Sequence, residues 1–329
     1  MRVLAQTQRY ERIGRRFIET GTSPNMGLEC YLGEARCSTE EWAQSAEADD
    51  SLRRLRDEAF KLDGALVWGW ERRPSLPQVV FPPDWDDTCK AIDYINAASD
   101  AGSRLALRLK DELPSSHWMH RALLDSAFQS PSGVGLSVFF SDGKVQLAPR
   151  EDLMVTAVVL RTLGRWYGDV RAVERNAIFQ HATRCVRLLQ RCLGGASFAR
   201  LSRYYFSAGH YALRLVQALR ACELTSLLPS ELQQPSRLAL VIAAQRNQRE
   251  RDWWLLVRGE LHGSAGELAG LSAAYSHLTK APRPRRPDII FRHRRLGHYY
   301  GASDWTRRLQ ALEAARIEQR QWLASEARL

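Results

Sequence analysis

The chain has 329 residues, of which 45% are hydrophobic and 26% charged, a composition typical of a folded globular protein and unlike that of a disordered chain. Its net charge of +10 favours anionic partners, such as a phosphorylated substrate or, through peripheral contact, an anionic membrane surface. No nucleic-acid-binding fold motif accompanies this charge, so we expect no nucleic-acid partner.

The N-terminal region predicts neither a targeting segment nor a membrane span. Residues 1–19 contain arginines and a glutamate and lack a continuous apolar run, which is unlike a signal peptide or a membrane-spanning helix. We therefore expect a cytoplasmic protein. The six cysteines include no CxxC pair, and in a reducing compartment they are expected to be free thiols.

Hydrophobic periodicity predicts helices along most of the chain. The predicted helices cover residues 8–19, 38–62, 84–98, 103–113, 115–128, 151–166, 170–193, 198–223, 236–248, 253–261, 265–280 and 303–326. Asp63-Gly64 predicts a turn, and residues 135–147 predict a small β-hairpin around Asp142-Gly143. Short loops between the helices favour antiparallel helix pairs, and therefore an all-α fold with one small hairpin.

The acidic stretch Asp84-Trp85-Asp86-Asp87 opens one of the predicted helices. Asp84 is placed to cap the helix, and the other two aspartates fall in its first turn, where the helix dipole favours negative charge. Three carboxylates in four residues exceed what a cap requires, and like charges this close tend to retain a shared proton. A carboxylic acid kept protonated can act as a general acid. The alternative is a surface ion pair between Asp86 and Lys90, worth a few tenths of a kcal/mol, which would oppose an acid role.

With Pro82-Pro83 before it and Thr88 after it, this stretch resembles the DxDD motif of class II terpene cyclases. These enzymes belong to the squalene-hopene cyclase and prenyltransferase superfamily, whose members fold as a ring of paired helices, the α/α toroid. Residues 63–68 resemble the D-G-x-W segment of the superfamily's repeats, and Tyr299-Tyr300-Gly301-Ala302 resembles the turn that opens a repeat helix. The resemblance implies a single α/α-toroid domain over residues 1–329.

The resemblance also implies a mechanism for the acidic stretch. Asp86 would be the general acid that protonates a terminal alkene or epoxide of an isoprenoid, either a prenyl diphosphate or a squalene-like polyene. Asp84 and Asp87 would hold that proton in the reactive orientation. Thr156 stands where squalene cyclases have a histidine that supports the acid; its hydroxyl can form hydrogen bonds but cannot carry a proton away as imidazole can.

Aromatic side chains would stabilise the carbocations formed in such a reaction, by up to about 2 kcal/mol each when they are desolvated. Packing in a hydrophobic core is the alternative for every one of them. The candidate substrate-binding residues are Trp68, Trp70, Trp85, Trp166, Tyr204, Tyr205, Tyr299, Tyr300 and Trp305.

No metal site is predicted from the sequence, although a diphosphate substrate would bring Mg²⁺ with it. A basic, proline-rich segment near the C terminus would then have a role in binding the diphosphate, and otherwise it is a solvated loop. Its arginines are Arg283, Arg285, Arg286, Arg292, Arg294 and Arg295.

Two alternatives to the cyclase stay open. One is a non-catalytic toroid that binds a lipid or a partner protein, and the less favoured one is a zinc prenyltransferase-like protein with Cys89 and His210 among its ligands.

Overall fold

The computed structural model describes residues 26–37, 40–62, 64–69, 84–114, 138–139, 145–146, 153–166, 168, 171–198, 207–263, 268–271, 288–293, 297–301 and 305–326. Within these residues the fold is mostly α-helical, and each of its sheets is a two-stranded antiparallel hairpin. The prediction of an all-α fold with a small hairpin is thereby confirmed. The closed ring of helix pairs stays a prediction.

The described chain divides into two compact units. Asn25–Leu189 together with Arg214–Pro229 form the first, called here the acid unit because it contains the acidic stretch. The described parts of Gln190–Leu213 and Ser230–Leu329 form the second, called here the C-terminal unit. The single domain over residues 1–329 stays a prediction.

The acid unit contains most of the helices that surround the acidic stretch. Its elements in chain order are α1 (Met26–Arg36), α2 (Glu40–Ala43), α3 (Ala46–Glu58), β1 (Phe60–Leu62), β2 (Ala65–Val67), α4 (Trp85–Asp100), α5 (Arg104–Lys110), β3 (Val138–Phe139), β4 (Val145–Gln146) and α6 (Leu153–Gly164). The boundary between the units falls within α7 (Ala172–Leu193) and α8 (Ala208–Ala221), and the 3₁₀ turn η1 (Thr225–Leu227) follows. Strands β3 and β4 confirm the hairpin that was predicted around Asp142-Gly143.

The C-terminal unit adds four helices and a hairpin within its described residues. These elements are α9 (Ser230–Gln233), α10 (Pro235–Ala243), α11 (Gln248–His262), β5 (Asp288–His293), β6 (Gly297–Gly301) and α12 (Trp305–Glu326). The expected helix-opening turn that starts at Tyr299 is wrong, because Tyr299 and Tyr300 lie on β6. In the backbone register of the hairpin, Tyr299 is opposite Phe291 of β5 and Tyr300 is opposite Ile289.

The predicted helix over residues 38–62 is divided and shorter in the structure. The first part, α2, ends at Ala43. Ser45 then caps α3, its hydroxyl accepting a hydrogen bond from the backbone N–H of Ala48 at 3.2 Å. Helix α3 ends at Glu58, because Phe60–Leu62 pairs with Ala65–Val67 as a hairpin. Gly64 turns this hairpin with a φ of 82°, a conformation that glycine adopts without strain, so the predicted turn is confirmed.

Helix α4 lies inside the acid unit and packs against α1, α5 and α6. Its apolar period predicts a single buried side, yet every residue from Trp85 to Asn96 is buried. The hydrophobic core around it includes Trp68 and residues of α1, α3 and α5. A helix enclosed in this way places its charged residues in the interior, where they need partners from neighbouring helices.

Candidate acid site

The first turn of α4 is fixed by backbone contacts with the segment that follows β2. Asp84 caps the helix, its Oδ1 accepting the N–H of Asp87 at 2.8 Å, and its own N–H donates to the carbonyl of Trp68 at 2.8 Å. The Thr88 hydroxyl accepts the N–H of Trp68 at 2.9 Å and donates to the Trp68 carbonyl at 3.0 Å. These bonds hold the acidic turn in one position relative to the β1–β2 hairpin.

Lys90 extends back along α4 and contacts two of the three aspartates. Its Nζ lies 2.7 Å from Oδ2 of Asp86 and 3.3 Å from Oδ1 of Asp87. The Lys90 side chain is only 2% exposed, and those of Asp86 and Asp87 are 7% and 2% exposed. The ion pair suggested by the spacing of Asp86 and Lys90 therefore exists, but its predicted place on the surface is wrong, because α1, α5 and α6 enclose this helix.

Two residues of the site come from helices far away in the sequence. Tyr31 of α1 presents its ring to Lys90, whose Nζ lies 5.0 Å from the ring centroid. Arg214 of α8 is fully buried and has its guanidinium carbon 4.4 Å from the centroid of the same ring. Both distances fall in the range of cation–π attraction. No spacing in the sequence indicates these two partners, because they meet α4 only through tertiary packing.

Burial changes the protonation of the acidic turn. It raises the pKa of Asp84 well above its usual range, and the negative charges of Asp87 and Asp86 add to this effect. Burial also raises the pKa of Asp87 to about 6, against the opposing attraction of the Lys90 ammonium. The pKa of Tyr31 rises to about 12, mainly through burial, so its hydroxyl stays protonated at neutral pH. The shifts of Asp84 and Asp87 both favour the protonated form of the carboxyl group.

A second group of buried charges lies further along α4. Asp93 forms ion pairs with Arg161 of α6, at 3.5 Å, and with Arg165, at 3.6 Å. Arg161 also forms a two-pronged ion pair with Glu34 of α1. These contacts join α1, α4 and α6 through oppositely charged groups, so they hold together the three helices that surround the acidic turn.

Thr156 lies in the first half of α6 and is fully buried. Helix α6 packs on α4, and the Thr162 hydroxyl lies 3.5 Å from the Cys89 carbonyl, which gives one contact between the two helices. The structure thus places Thr156 on a helix that adjoins the acidic turn. Its role in supporting the acid stays a prediction.

The candidate aromatic residues are distributed between the two units. Trp68 and Trp85 are buried in the acid unit, and the indole N–H of Trp68 donates to the carbonyl of Leu55 at 2.8 Å. Trp166 is half-buried just after α6. In the C-terminal unit, Tyr299 and Tyr300 lie on β6 and Trp305 begins α12, whereas Trp70, Tyr204 and Tyr205 lie outside the described residues. Within the described part of the acid unit, Trp68 is hydrogen-bonded to the start of α4, and Trp85 is its first residue.

The possible metal ligands do not meet in the described part of the chain. Among those residues, no three histidine, cysteine, aspartate or glutamate side chains are grouped so that they could hold a metal ion. Cys89 is buried on α4, and His210 belongs to the C-terminal unit, where its ring stacks on that of Trp253 with 4.3 Å between centroids.

Among the described helices, none combines the length and the apolar character needed to cross a membrane.

The arrangement as a whole is a group of three buried carboxyl groups, two of which contact one buried lysine, and burial raises the pKa of Asp84 and Asp87. Such a site can donate a proton to a molecule that reaches the first turn of α4, and its apolar surroundings favour transfer to a weak base.

Comparisons of the chain with models of protein families, with curated proteins and with solved structures found no match.

Proposed function

We propose that the protein is a class II-type terpene cyclase, which starts the cyclisation of an isoprenoid by protonating it. The observation that supports this proposal is the burial of three carboxyl groups, Asp84, Asp86 and Asp87, at the start of α4, where burial raises the pKa of Asp84 and Asp87. An ordinary exposed aspartate is ionised at neutral pH and has no proton to give. The resemblance of the stretch to the DxDD motif supplies the reaction class.

The proposed reaction changes no oxidation state. The acid's proton adds to a terminal carbon–carbon double bond, or to an epoxide oxygen, and leaves a carbocation. Internal double bonds then attack the cation and form rings, and loss of a proton ends the reaction. The substrate is a prenyl diphosphate or a squalene-like polyene, and in the first case Mg²⁺ would accompany the diphosphate. Trp85 belongs to the acidic stretch and is fully buried, and its ring is a candidate to stabilise the first cation.

Product analysis tests this proposal directly. The purified protein is incubated with farnesyl diphosphate, geranylgeranyl diphosphate, squalene and oxidosqualene, with and without Mg²⁺, and the products are identified by mass spectrometry. We expect cyclic products from one of these substrates. Their absence from all of them would refute the assignment to these substrate classes.

Two variants of α4 then test whether cyclisation depends on the acidic turn in particular or on the helix as a whole. Asp86→Asn removes a carboxyl of the acidic turn, and we expect it to abolish cyclisation. Asp100→Asn is the matched control, since Asp100 lies at the exposed end of the same helix. Equal losses of activity in both variants would show that the acidic turn has no special role.

A second function is favoured by a different observation, the short contact between Lys90 and Asp86. Their 2.7 Å ion pair is also what a purely structural charge cluster would show, as expected for a helical domain that binds a lipid or a partner protein without chemistry. A lipid-binding protein of this kind would bind one of the four isoprenoids and release it unchanged. Recovery of intact ligand, together with a rise in thermal stability on ligand addition, would identify this alternative.

A further inference from the structure

We propose that the exposed face of helix α7 binds the surface of an anionic membrane. This face carries three arginines, called here the arginine row, and two exposed apolar side chains. The arginines are Arg184, Arg187 and Arg191, and the apolar residues are Val173 and Phe179. All five belong to one continuous helix. The inference uses none of the residues of the acidic turn, and it does not depend on the protein being a cyclase.

Helix α7 has one buried side and one exposed side. It has 22 residues, which corresponds to a length of about 33 Å. The buried side includes Ile178, Cys185 and Leu189. On the other side, the second and third arginines of the row are exposed, and the first is partly exposed. Packing of the buried side thus determines which residues point outward, and the arginine row is a defined part of the surface.

The spacing of the arginine row places three positive charges side by side. Arg187 follows Arg184 by three positions and precedes Arg191 by four, and residues at these spacings are neighbours on a helix surface. Like charges at such positions destabilise a helix. Within the described residues, none of the three arginines forms an ion pair with a carboxylate. An external surface with negative charge would therefore relieve the repulsion along the row.

The only acidic residue of α7 is engaged at the start of the helix. Glu174 accepts the backbone N–H of Arg171 at 2.9 Å and its Nε–H at 2.9 Å, and Glu174 is only 5% exposed. A glutamate at this position satisfies a free N–H at the helix start, as in a capping box. Its charge is thereby paired with that of Arg171, so α7 supplies no carboxylate to balance the arginine row.

The exposed apolar residues favour a lipid surface over other polyanions. Val173 is 73% exposed and Phe179 is 44% exposed. Val173 precedes Arg191 by about five helical turns and is therefore in line with the row, while Phe179 lies to one side of it. The interface of an anionic membrane presents negative headgroups to arginines and, just below them, an apolar boundary to valine and phenylalanine. A nucleic-acid backbone supplies only the phosphates.

Sedimentation with lipid vesicles tests the proposal. The full chain is mixed with vesicles of phosphatidylcholine alone, or of phosphatidylcholine with phosphatidylserine, and the bound fraction is measured as the vesicle concentration increases. We expect binding only to the vesicles with phosphatidylserine, and we expect it to weaken as salt is added, because salt screens the charges. Equal binding to both kinds of vesicle, or no binding to either, would overturn the proposal.

Two triple variants with the same net charge distinguish the α7 face from the overall charge of the protein. The first combines Arg184→Gln, Arg187→Gln and Arg191→Gln. The control replaces three exposed arginines of α5 and α10, by Arg104→Gln, Arg108→Gln and Arg237→Gln. Each basic residue close to an anionic membrane strengthens binding about fivefold, so the first variant should bind about a hundredfold more weakly than wild type. Equal losses in the two variants would overturn the assignment to α7.

Val173→Ser tests the apolar part of the face. The Val173 side chain is largely exposed, so its replacement is expected to leave the fold intact, and unchanged thermal unfolding confirms this for every variant. We expect binding to phosphatidylserine vesicles to weaken several-fold and to keep its salt dependence. Unchanged binding would overturn the role of Val173.

A single-stranded oligonucleotide serves as the competing polyanion. Wild type that binds the oligonucleotide through the arginine row, but does not bind phosphatidylserine vesicles, would overturn the membrane and identify nucleic acid as the partner. Vesicle binding that the oligonucleotide does not match in affinity would support the lipid surface.

Discussion

Replacing Lys90 with methionine measures how strongly the buried ion pairs stabilise the acid unit. Methionine retains most of the side-chain volume and removes the charge, so the packing of α4 changes little while Asp86 and Asp87 lose their cation. At an effective dielectric constant of about 20, unit charges separated by 2.7 Å attract each other by about 6 kcal/mol. The variant no longer has to bury an ammonium, which offsets part of this loss. We therefore expect a net destabilisation of about 3–5 kcal/mol at pH 8.

The pH dependence of that loss distinguishes an ion pair from simple packing. At pH 5 Asp87, whose pKa burial raises to about 6, can take up a proton, so buried negative charge is reduced and the destabilisation by Lys90→Met should be smaller. Urea unfolding followed by tryptophan fluorescence at pH 5 and pH 8 gives both values, with unchanged m values as the sign that the midpoints can be compared. Lys110→Met, in an exposed pair, should change the free energy of unfolding by no more than about 1 kcal/mol. A loss at pH 5 equal to that at pH 8 would refute the electrostatic reasoning.

Three further predictions concern the acid unit. The pKa of Asp87 rises from 3.8 in the unfolded chain to about 6 in the folded protein, so the folded state binds more protons between these two pH values. The stabilisation that Asp87 contributes is therefore fully present below about pH 4 and is lost as the pH rises through about 6. Asp87→Asn should flatten this part of the pH–stability profile by about 3 kcal/mol in urea titrations. Gly164→Ala would place a Cβ 2.7 Å from the carbonyl carbon of Ala221 and should cost about 1–3 kcal/mol, whereas Gly168→Ala meets open space and should be neutral by the same measurement. Ser45→Ala removes the cap of α3 and should lower the free energy of unfolding by about 1 kcal/mol, which Ser45→Asp should largely restore.

Local sequence signals predicted the elements whose boundaries depend on local chemistry. The start of α4 follows from Asp84, whose side chain satisfies a free N–H of the first turn wherever the helix is placed. The predicted β3–β4 hairpin follows from an Asp-Gly turn in the same way. The β5–β6 hairpin does not follow from the sequence around Tyr299 and Tyr300, because its strands are defined by backbone pairing between two segments. Strand pairing can override the local secondary-structure preference of a segment, because much of the stabilisation of a strand comes from the partner strand.

The acidic residues of the candidate site could be predicted from the sequence, but the residues that surround them could not. The three aspartates and Lys90 lie within one stretch of helix, so their spacing brings them together. The burial of Lys90 was not predictable, since it depends on Tyr31 and on the helices that enclose α4. Arg214, more than a hundred positions further along the chain than Lys90, is likewise indicated by no periodicity. Charged residues on an isolated helical pattern are expected at the surface, and only tertiary partners make their burial tolerable.

The enclosure of α4 also bears on motion within the acid unit. A helix with every residue from Trp85 to Asn96 buried has no free side along which it can swing, and its start is tied to Trp68 by several hydrogen bonds. Local opening of a folded protein proceeds through its least buried segments. Local opening of the acid unit should therefore begin in its more exposed segments and leave α4 in place.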